Sequence, residues 1–150
     1  MRTFAVGAAL AGLILGCSSS PTSPDQARFS VSLSLSSTTV ALGEPVDWTI
    51  VVANQGSAAG RLDFMSACQA NFVVEGASGV IWNDQWATTC AAVLTHVDLG
   101  AGETATYRGR WRQQTASGYA DTGSYRLRGE LLTSPLLASG GVPLAIQPSP

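Results

Sequence analysis

The sequence contains no lysine and a single histidine, and only 12% of its residues are charged. All eight basic residues are arginine, and outside residues 1–16 seven arginines stand against ten acidic residues, a formal charge of −3. Proteins that bind nucleic acid through its phosphates need a concentrated positive surface, which this composition does not supply. The charge balance therefore argues against nucleic acid as a partner, and we predict none.

The shortage of histidine and lysine also argues against an enzyme. Acid–base catalysis needs a base, a nucleophile and an orienting group within reach of one another. His96 and Asp98 form the one candidate dyad, because residues two apart in a strand share a face. The chain has no Gly-x-Ser-x-Gly elbow, no phosphate-binding loop and no dinucleotide fingerprint. We therefore predict a protein that is not an enzyme and holds no cofactor, with His96 as a partly exposed strand residue.

No apolar run is long enough to cross a bilayer. Residues 4–15 (FAVGAALAGLIL) form an apolar run of 12 residues, well short of the roughly 20 that a spanning helix needs. The run follows Arg2, as the apolar part of a signal peptide does. It leads into ILGC at 14–17, which resembles the bacterial lipobox, in which the cysteine thiol is acylated before cleavage ahead of it. We predict a lipoprotein signal peptide over residues 1–16 and lipidation of Cys17; an ordinary secretory peptide or a buried apolar helix is the alternative.

The segment after Cys17 is rich in Ser and Pro (SSSPTSPDQ, residues 18–26) and cannot form a packed core. We predict a flexible tether over residues 17–27 and one folded domain over residues 28–147. Serine rather than aspartate follows the cysteine, and by resemblance to the sorting rule of proteobacterial lipoproteins this favours the outer membrane. The expected location is the cell envelope, on the periplasmic face or the cell surface.

Assigning Cys17 to the anchor leaves two further cysteines, Cys68 and Cys90. In an oxidising compartment an even pair is most simply a disulfide. Closing a loop of about 20 residues would contribute roughly 3 kcal/mol on the chain-entropy model. A metal site that includes His96 is the alternative, but two isolated thiols without a Cys-x-x-Cys pair are a poor zinc motif. We predict the disulfide and no metal.

Short runs of alternating apolar and polar residues recur along the chain, and no helical periodicity follows the signal peptide. Alternation is clearest over residues 29–35, 46–54, 103–112 and 123–132. Shorter candidates are residues 40–45, 61–65, 71–75, 80–82, 93–99 and 142–146, with a hairpin joining 71–75 to 80–82. The pattern predicts an all-β, immunoglobulin-like antiparallel sandwich of eight to ten short strands, with a closed barrel as the alternative.

The spacing of core and turn residues resembles a known family. Residues 99–111 read Leu-x-x-Gly-Glu-x-x-x-Tyr-x-x-x-Trp, and residues 123–129 read Gly-x-Tyr-x-x-x-Gly. An Asn-Gln-Gly turn at 54–56 and a hairpin with Trp82 after a glycine precede them in the same order. This is similar to the BsuPI-type intracellular proteinase inhibitor domain, an immunoglobulin-like sandwich, over about residues 46–132. The resemblance implies a non-catalytic domain that inhibits proteinases by binding them.

Five arginines make up a candidate binding face. They alternate with core residues in two predicted strands, so that within each strand they point outward. If the two strands pair, five guanidinium groups share one sheet surface and suit an acidic partner or an anionic glycan. The alternative is a solvated face on which acidic residues pair across strands. The five are Arg108, Arg110, Arg112, Arg126 and Arg128.

Taken together, these features predict a lipid-anchored domain that binds a protein. The membrane is one expected partner, and the other is a protease or an envelope protein. A structural or assembly role in a cell-envelope complex is the alternative to proteinase inhibition. Trp86 is the one tryptophan expected at the surface, which is too little for a carbohydrate platform.

Overall fold

The computed structural model describes residues 26–150. The predicted signal peptide and Cys17 lie outside the described residues, as does the predicted tether up to residue 25. Within residues 26–150 no α-helix occurs, and no helix is long and apolar enough to cross a membrane.

Regular structure over residues 26–150 consists of thirteen β-strands and one short 3-10 turn. The strands are β1 (Phe29–Leu35), β2 (Thr39–Ala41), β3 (Val46–Asn54), β4 (Gly60–Phe64), β5 (Ala70–Gly76), β6 (Gly79–Asn83), β7 (Thr95–Leu99), β8 (Thr104–Trp111), β9 (Gln114–Thr115), β10 (Gly118–Tyr119), β11 (Gly123–Leu131), β12 (Leu137–Ala138) and β13 (Val142–Gln147). The 3-10 turn (Asp84–Trp86) follows β6.

Two larger sheets and two strand pairs make up the sandwich. One sheet has the order β1-β3-β8, and the other has the order β2-β13-β11-β5-β6 with β12 beside β11. The strands pair antiparallel except β2, which runs parallel to β13. The remaining pairs are β4-β7 and the β9-β10 hairpin, and β7 lies against β8. The predicted all-β immunoglobulin-like sandwich is confirmed, and the predicted hairpin is β5-β6, turning at Gly76 and Gly79.

Alternation along the strands builds one core between the two sheets. Val46, Trp48, Ile50 and Val52 are buried at every second position of β3, as period-two patterning requires. The ring of Trp48 stacks on Phe72 of the opposite sheet with centroids 5.3 Å apart. Burying such rings contributes more than any other side chains to the stability of a small domain.

Two glycines leave room for large core side chains: Gly109 for the ring of Trp48 on the neighbouring strand, and Gly129 for Ile50 of the opposite sheet. A Cβ added at Gly109 of β8 would lie 2.2 Å from the Trp48 ring, and one added at Gly129 of β11 would lie 2.5 Å from Ile50. Neither glycine has a positive φ, so these positions are dictated by space and not by backbone conformation.

Asn54 ends β3 and is fully buried. Its Oδ1 accepts hydrogen bonds from the backbone N–H groups of Arg28 (3.1 Å) and Gly56 (3.0 Å). Its Nδ2 donates to three carbonyls, those of Ala58 (2.8 Å), Leu99 (3.0 Å) and Gly100 (3.2 Å). One side chain therefore joins the start of β1, the β3-β4 loop and the end of β7.

Gln113 performs a similar task at the other end of β8. It is fully buried and has a φ of 61°, the one positive φ of a non-glycine residue within 26–150. Its Oε1 accepts from the N–H of Gly43 (2.8 Å), and its Nε2 donates to the carbonyls of Ala41 (2.8 Å) and Glu44 (2.7 Å). The turn after β2 is thereby fixed over the end of β8.

Candidate functional site

His96 and Asp98 lie side by side on β7, but their surroundings do not suit catalysis. His96 Nε2 is 3.6 Å from Asp98 Oδ2, and the two side chains are 53% and 58% exposed. Arg61 on β4 donates to both carboxylate oxygens of Asp98, at 2.7 and 3.0 Å. These bonds hold the pKa of Asp98 below its ordinary value. The Asp98 carboxylate thus forms an exposed ion pair with Arg61 on the neighbouring strand and does not orient a buried imidazole.

The five arginines do not form one face. Arg108 and Arg110 lie on the outer side of β8, with Arg112 just beyond its end, and β8 pairs with β3. Arg126 and Arg128 lie on β11, which pairs with β5 and β13 in the opposite sheet. The condition for a shared surface, pairing of the two strands, is not met. The two groups point away from each other across the core.

Two of the five charges are also neutralised. Arg110 makes a bidentate ion pair with Asp47, which raises the pKa of Arg110 and lowers that of Asp47. Arg128 contacts Glu75 and donates to Glu130 Oε1 (2.8 Å), and Glu130 is only 7% exposed. The candidate face reduces to separate, partly paired arginines on two sheets.

The disulfide between Cys68 and Cys90 is confirmed, with the Cα atoms 5.5 Å apart. It joins the β4-β5 connection to the longer segment between the 3-10 turn and β7. We call that segment, residues 87–94 (ATTCAAVL), the disulfide loop. All of its residues except Cys90 are exposed, and none of them is in a strand.

The disulfide loop begins at an anchored turn. Asn83 Oδ1 accepts from the N–H of Gln85 (2.9 Å), which caps the 3-10 turn. Trp82 Nε1 donates to Asp84 Oδ1 (2.8 Å), and the rings of Trp82 and Trp86 meet edge to face with centroids 6.4 Å apart. Trp86 is 53% exposed, as expected from the sequence.

The other side of the disulfide loop is fixed by the β4-β5 connection. The N–H of Ala67 donates to the carbonyl of Ala91 (3.0 Å). Thr95 Oγ1 donates to the carbonyl of Ser66 (2.9 Å) and accepts from Gln69 Nε2 (3.1 Å). Tyr107 of β8 donates its hydroxyl to Gln69 Oε1 (3.0 Å) and connects this network to the core. Partial burial raises the pKa of Tyr107, so the hydroxyl keeps its proton at neutral pH.

Exposed apolar side chains gather where the disulfide loop leads into β7. Met65 and Leu94 are 76% and 72% exposed, and Val93 is exposed as well. Met65 and Leu94 come one residue beyond the last pair of the β4-β7 ladder, Phe64 and Thr95, and so flank the end of that ladder. Small monomeric proteins rarely expose several large apolar side chains together unless the patch binds something.

A groove of about 320 Å³ runs along β4 next to this patch. Its apolar lining comes from Phe29, Leu62, Met65, Pro135 and Leu137. A second groove, of about 420 Å³, lies between the β5-β6 turn and residues 115–121 and has no converging reactive groups. Within residues 26–150 no three or more His, Cys, Asp or Glu side chains come together as a metal site.

The disulfide was predictable from the cysteine count, but the exposed loop and the groove were not. The loop has no charge and no clear periodic pattern, and its last two residues, Val93 and Leu94, were predicted as the start of a strand that begins at Thr95 in the structure. The uncharged composition of residues 87–94, which surround Cys90, was the one clue available.

Changing Asp84 to Asn is expected to make the domain slightly more stable at neutral pH. Burial raises the pKa of Asp84, against a smaller lowering by the hydrogen bond from Trp82. A carboxyl whose pKa is raised by folding destabilises the folded state as pH climbs through that raised value. The amide accepts the same Trp82 bond without a charge, so we expect a gain of up to about 1 kcal/mol at pH 7.

The measurement is urea unfolding of the wild type and Asp84→Asn at pH 7 and well below pH 3.8, the ordinary pKa of aspartate. The two proteins should converge at the lower pH, where both side chains are neutral. A difference that persists unchanged at low pH would rule out the electrostatic explanation.

Comparison with protein families matches residues 33–136 to the model described as "BsuPI: Intracellular proteinase inhibitor". Comparison with curated protein sequences gave no significant match.

Solved structures share the fold at low identity. A CARDB domain from Pyrococcus furiosus, in complex with di-metal ions, is similar with a TM-score of 0.50 and 12% identity over 85% of this chain and 100% of that one. The C-terminal domain of wzt gives a TM-score of 0.51 and 8% identity over 84% and 77% of the two chains. The DNA glycosylase AlkC from Pseudomonas fluorescens gives 0.50 and 13% over 79% of this chain and 30% of that one. Identities this low support the fold alone.

Proposed function

The chain belongs to the BsuPI family of intracellular proteinase inhibitors, and on this premise we propose that it inhibits a proteinase by binding it, without catalytic chemistry of its own. The family match over residues 33–136 carries this proposal. The exposed apolar patch of Met65, Val93 and Leu94 supports it, because a protein-binding domain needs such a surface. The non-catalytic assignment is supported by the exposed and ion-paired setting of His96 and Asp98.

We further propose that the domain works outside the cytoplasm, held to a membrane by a lipid on Cys17. Two independent features support this location. The lipobox-like residues 14–17 end the apolar N-terminal run, and the Cys68–Cys90 disulfide is of a kind that persists in oxidising compartments. The outer membrane remains the favoured destination, since serine follows Cys17.

One surface of five arginines would favour the alternative, an assembly role in an envelope complex. The two sheets separate these arginines, and two of the five are paired with carboxylates, so they do not support that role.

Inhibition is tested by titrating fixed amounts of trypsin-, chymotrypsin-, elastase- and subtilisin-type proteinases with the full chain in mild detergent. We expect residual activity of at least one proteinase to fall linearly to an end point near one inhibitor per enzyme. Degradation of the chain by all four without such an end point would contradict the proposal.

Anchoring is tested separately by growing cells that express the chain with labelled palmitate. The wild type should carry label and sediment with membranes, and Cys17→Ala should do neither. Equal labelling of both proteins would exclude Cys17 as the attachment point.

A further inference from the structure

We infer that the disulfide loop, residues 87–94, is the segment that occupies the proteinase active site, with Ala92 in a primary pocket shaped for a small aliphatic side chain. This inference rests on the proposed function and names the part of the domain that performs it.

The disulfide loop has the accessibility that a proteinase cleft requires. Its residues are exposed apart from Cys90, and none is committed to a sheet ladder. Extended peptides bind to such clefts through main-chain hydrogen bonds, with side chains filling pockets that set specificity. The other connection of comparable length, residues 132–141, contains β12 and is partly paired with β11. Of the two connections, the disulfide loop is therefore the more exposed and the one without a strand.

The loop is held in place at its middle, which favours inhibition over cleavage. Cys90 is covalently joined to Cys68, and the next residue, Ala91, accepts a hydrogen bond from the N–H of Ala67. The connection that provides these partners is itself bonded to Thr95 and Tyr107. A loop that is already fixed before binding loses less conformational entropy when it binds.

Hydrogen bonding distinguishes Ala92 from its neighbours. The carbonyl of Ala91 is occupied, because it accepts from Ala67 and from the N–H of Val93 (2.9 Å). The Val93 bond spans two residues and places Ala92 at the centre of a γ-turn. Ala92 is exposed and its φ is negative. The exposed residue at the centre of this turn is thus a small one.

Side-chain chemistry then selects the class of proteinase. The loop reads ATTCAAVL and has no basic and no aromatic residue. Trypsin-type pockets contain an aspartate and need a basic side chain, and chymotrypsin-type pockets are hydrophobic slots suited to large rings. An elastase-type pocket is small and accepts alanine. The exposed side chains of Met65, Val93 and Leu94 would then lie against the rim of the cleft.

The test is inhibition of an elastase-type proteinase by the full chain, its Ala92→Arg variant and its Ala77→Arg variant. Ala77 is exposed in the β5-β6 turn, so the control adds the same side chain away from the loop. We expect Ala92→Arg to inhibit elastase at least about 30-fold more weakly, as loss of a central contact does, and to gain inhibition of trypsin. Ala77→Arg should match the wild type.

A double variant, Cys68→Ser with Cys90→Ser, examines the role of the disulfide. Once the loop is free, we expect elastase to cleave within residues 87–94, and mass spectrometry should locate the cut. Circular dichroism of each variant, compared with the wild type, establishes that the sandwich still forms.

The outcomes separate the inference from the proposed function. If the wild type, Ala92→Arg and Ala77→Arg all inhibit elastase with equal potency, the loop assignment is overturned while the proposed inhibition stands. If the wild type inhibits trypsin-type enzymes and not elastase, the assigned pocket is wrong. If the wild type inhibits no proteinase, the proposed function fails and the inference fails with it.

Discussion

Replacing Asn54 with alanine is expected to lower the free energy of unfolding by at least about 3 kcal/mol. The side chain bonds two N–H groups and three carbonyls from separate parts of the chain. Leaving a buried backbone group unpaired costs about 1–3 kcal/mol each, because water cannot replace the lost partner. Several of these groups lose their partner at once, so the loss should exceed that of an ordinary polar substitution.

Urea unfolding followed by tryptophan fluorescence measures the effect. The matched control is Gln55→Ala, one residue along, where the side chain is exposed and the change should lie within about 0.5 kcal/mol. A third variant, Asn54→Asp, retains an oxygen acceptor and loses the amide donor, and should be destabilised too. An Asn54→Ala protein as stable as Gln55→Ala would show that the five bonds contribute nothing net.

Replacing Gly109 with alanine is expected to destabilise the domain by about 3 kcal/mol, at the upper end of the range for overpacked cores. The added Cβ would lie 2.2 Å from the ring of Trp48. That ring stacks on Phe72 across the core at an interplanar angle of 8°, so it has no free space to move into. Either β8 or the stacked pair must shift, and both belong to the packed centre of the sandwich.

The control for this prediction is Gly140→Ala, since a Cβ there meets no atom within 4 Å and φ is not positive. A double-mutant cycle with Trp48→Leu isolates the contact. The added methyl should cost less in the Trp48→Leu background, giving a coupling of about 1–3 kcal/mol. If the effects of Gly109→Ala and Trp48→Leu on stability are additive, the destabilisation by Gly109→Ala does not come from contact with the Trp48 ring.

These two residues also show how far the fold could be read from the sequence. Gly109 falls in the inward register of a strand predicted over residues 103–112, and period-two alternation placed it there correctly. The alternation does not say why the position is a glycine, because the reason is the Trp48 ring on another strand. Asn54 was recognised as a turn residue, yet its buried role depends on loops 45 residues away along the chain.

The binding surface was harder to predict from the sequence, for the same physical reason. Outward direction within a strand follows from periodicity, so Arg108 and Arg126 were each placed correctly on an outer face. Which strands are neighbours depends on packing across the sandwich, and the two arginine-bearing strands belong to different sheets. The disulfide loop has no period at all, and Met65 and Leu94 come together because β4 and β7 pair.

The β4-β7 pair also separates the point where the chain enters the sandwich from the disulfide loop. The chain enters the sandwich at Arg28 and Phe29, beside Gly60 at the start of β4. The disulfide loop meets the opposite end of the pair, past Phe64 and Thr95. Five residues of strand separate the two ends by about 13 Å. A lipid attached ahead of Arg28 would therefore be joined to the end of the pair away from the loop, which leaves the loop free to meet a proteinase arriving from solution.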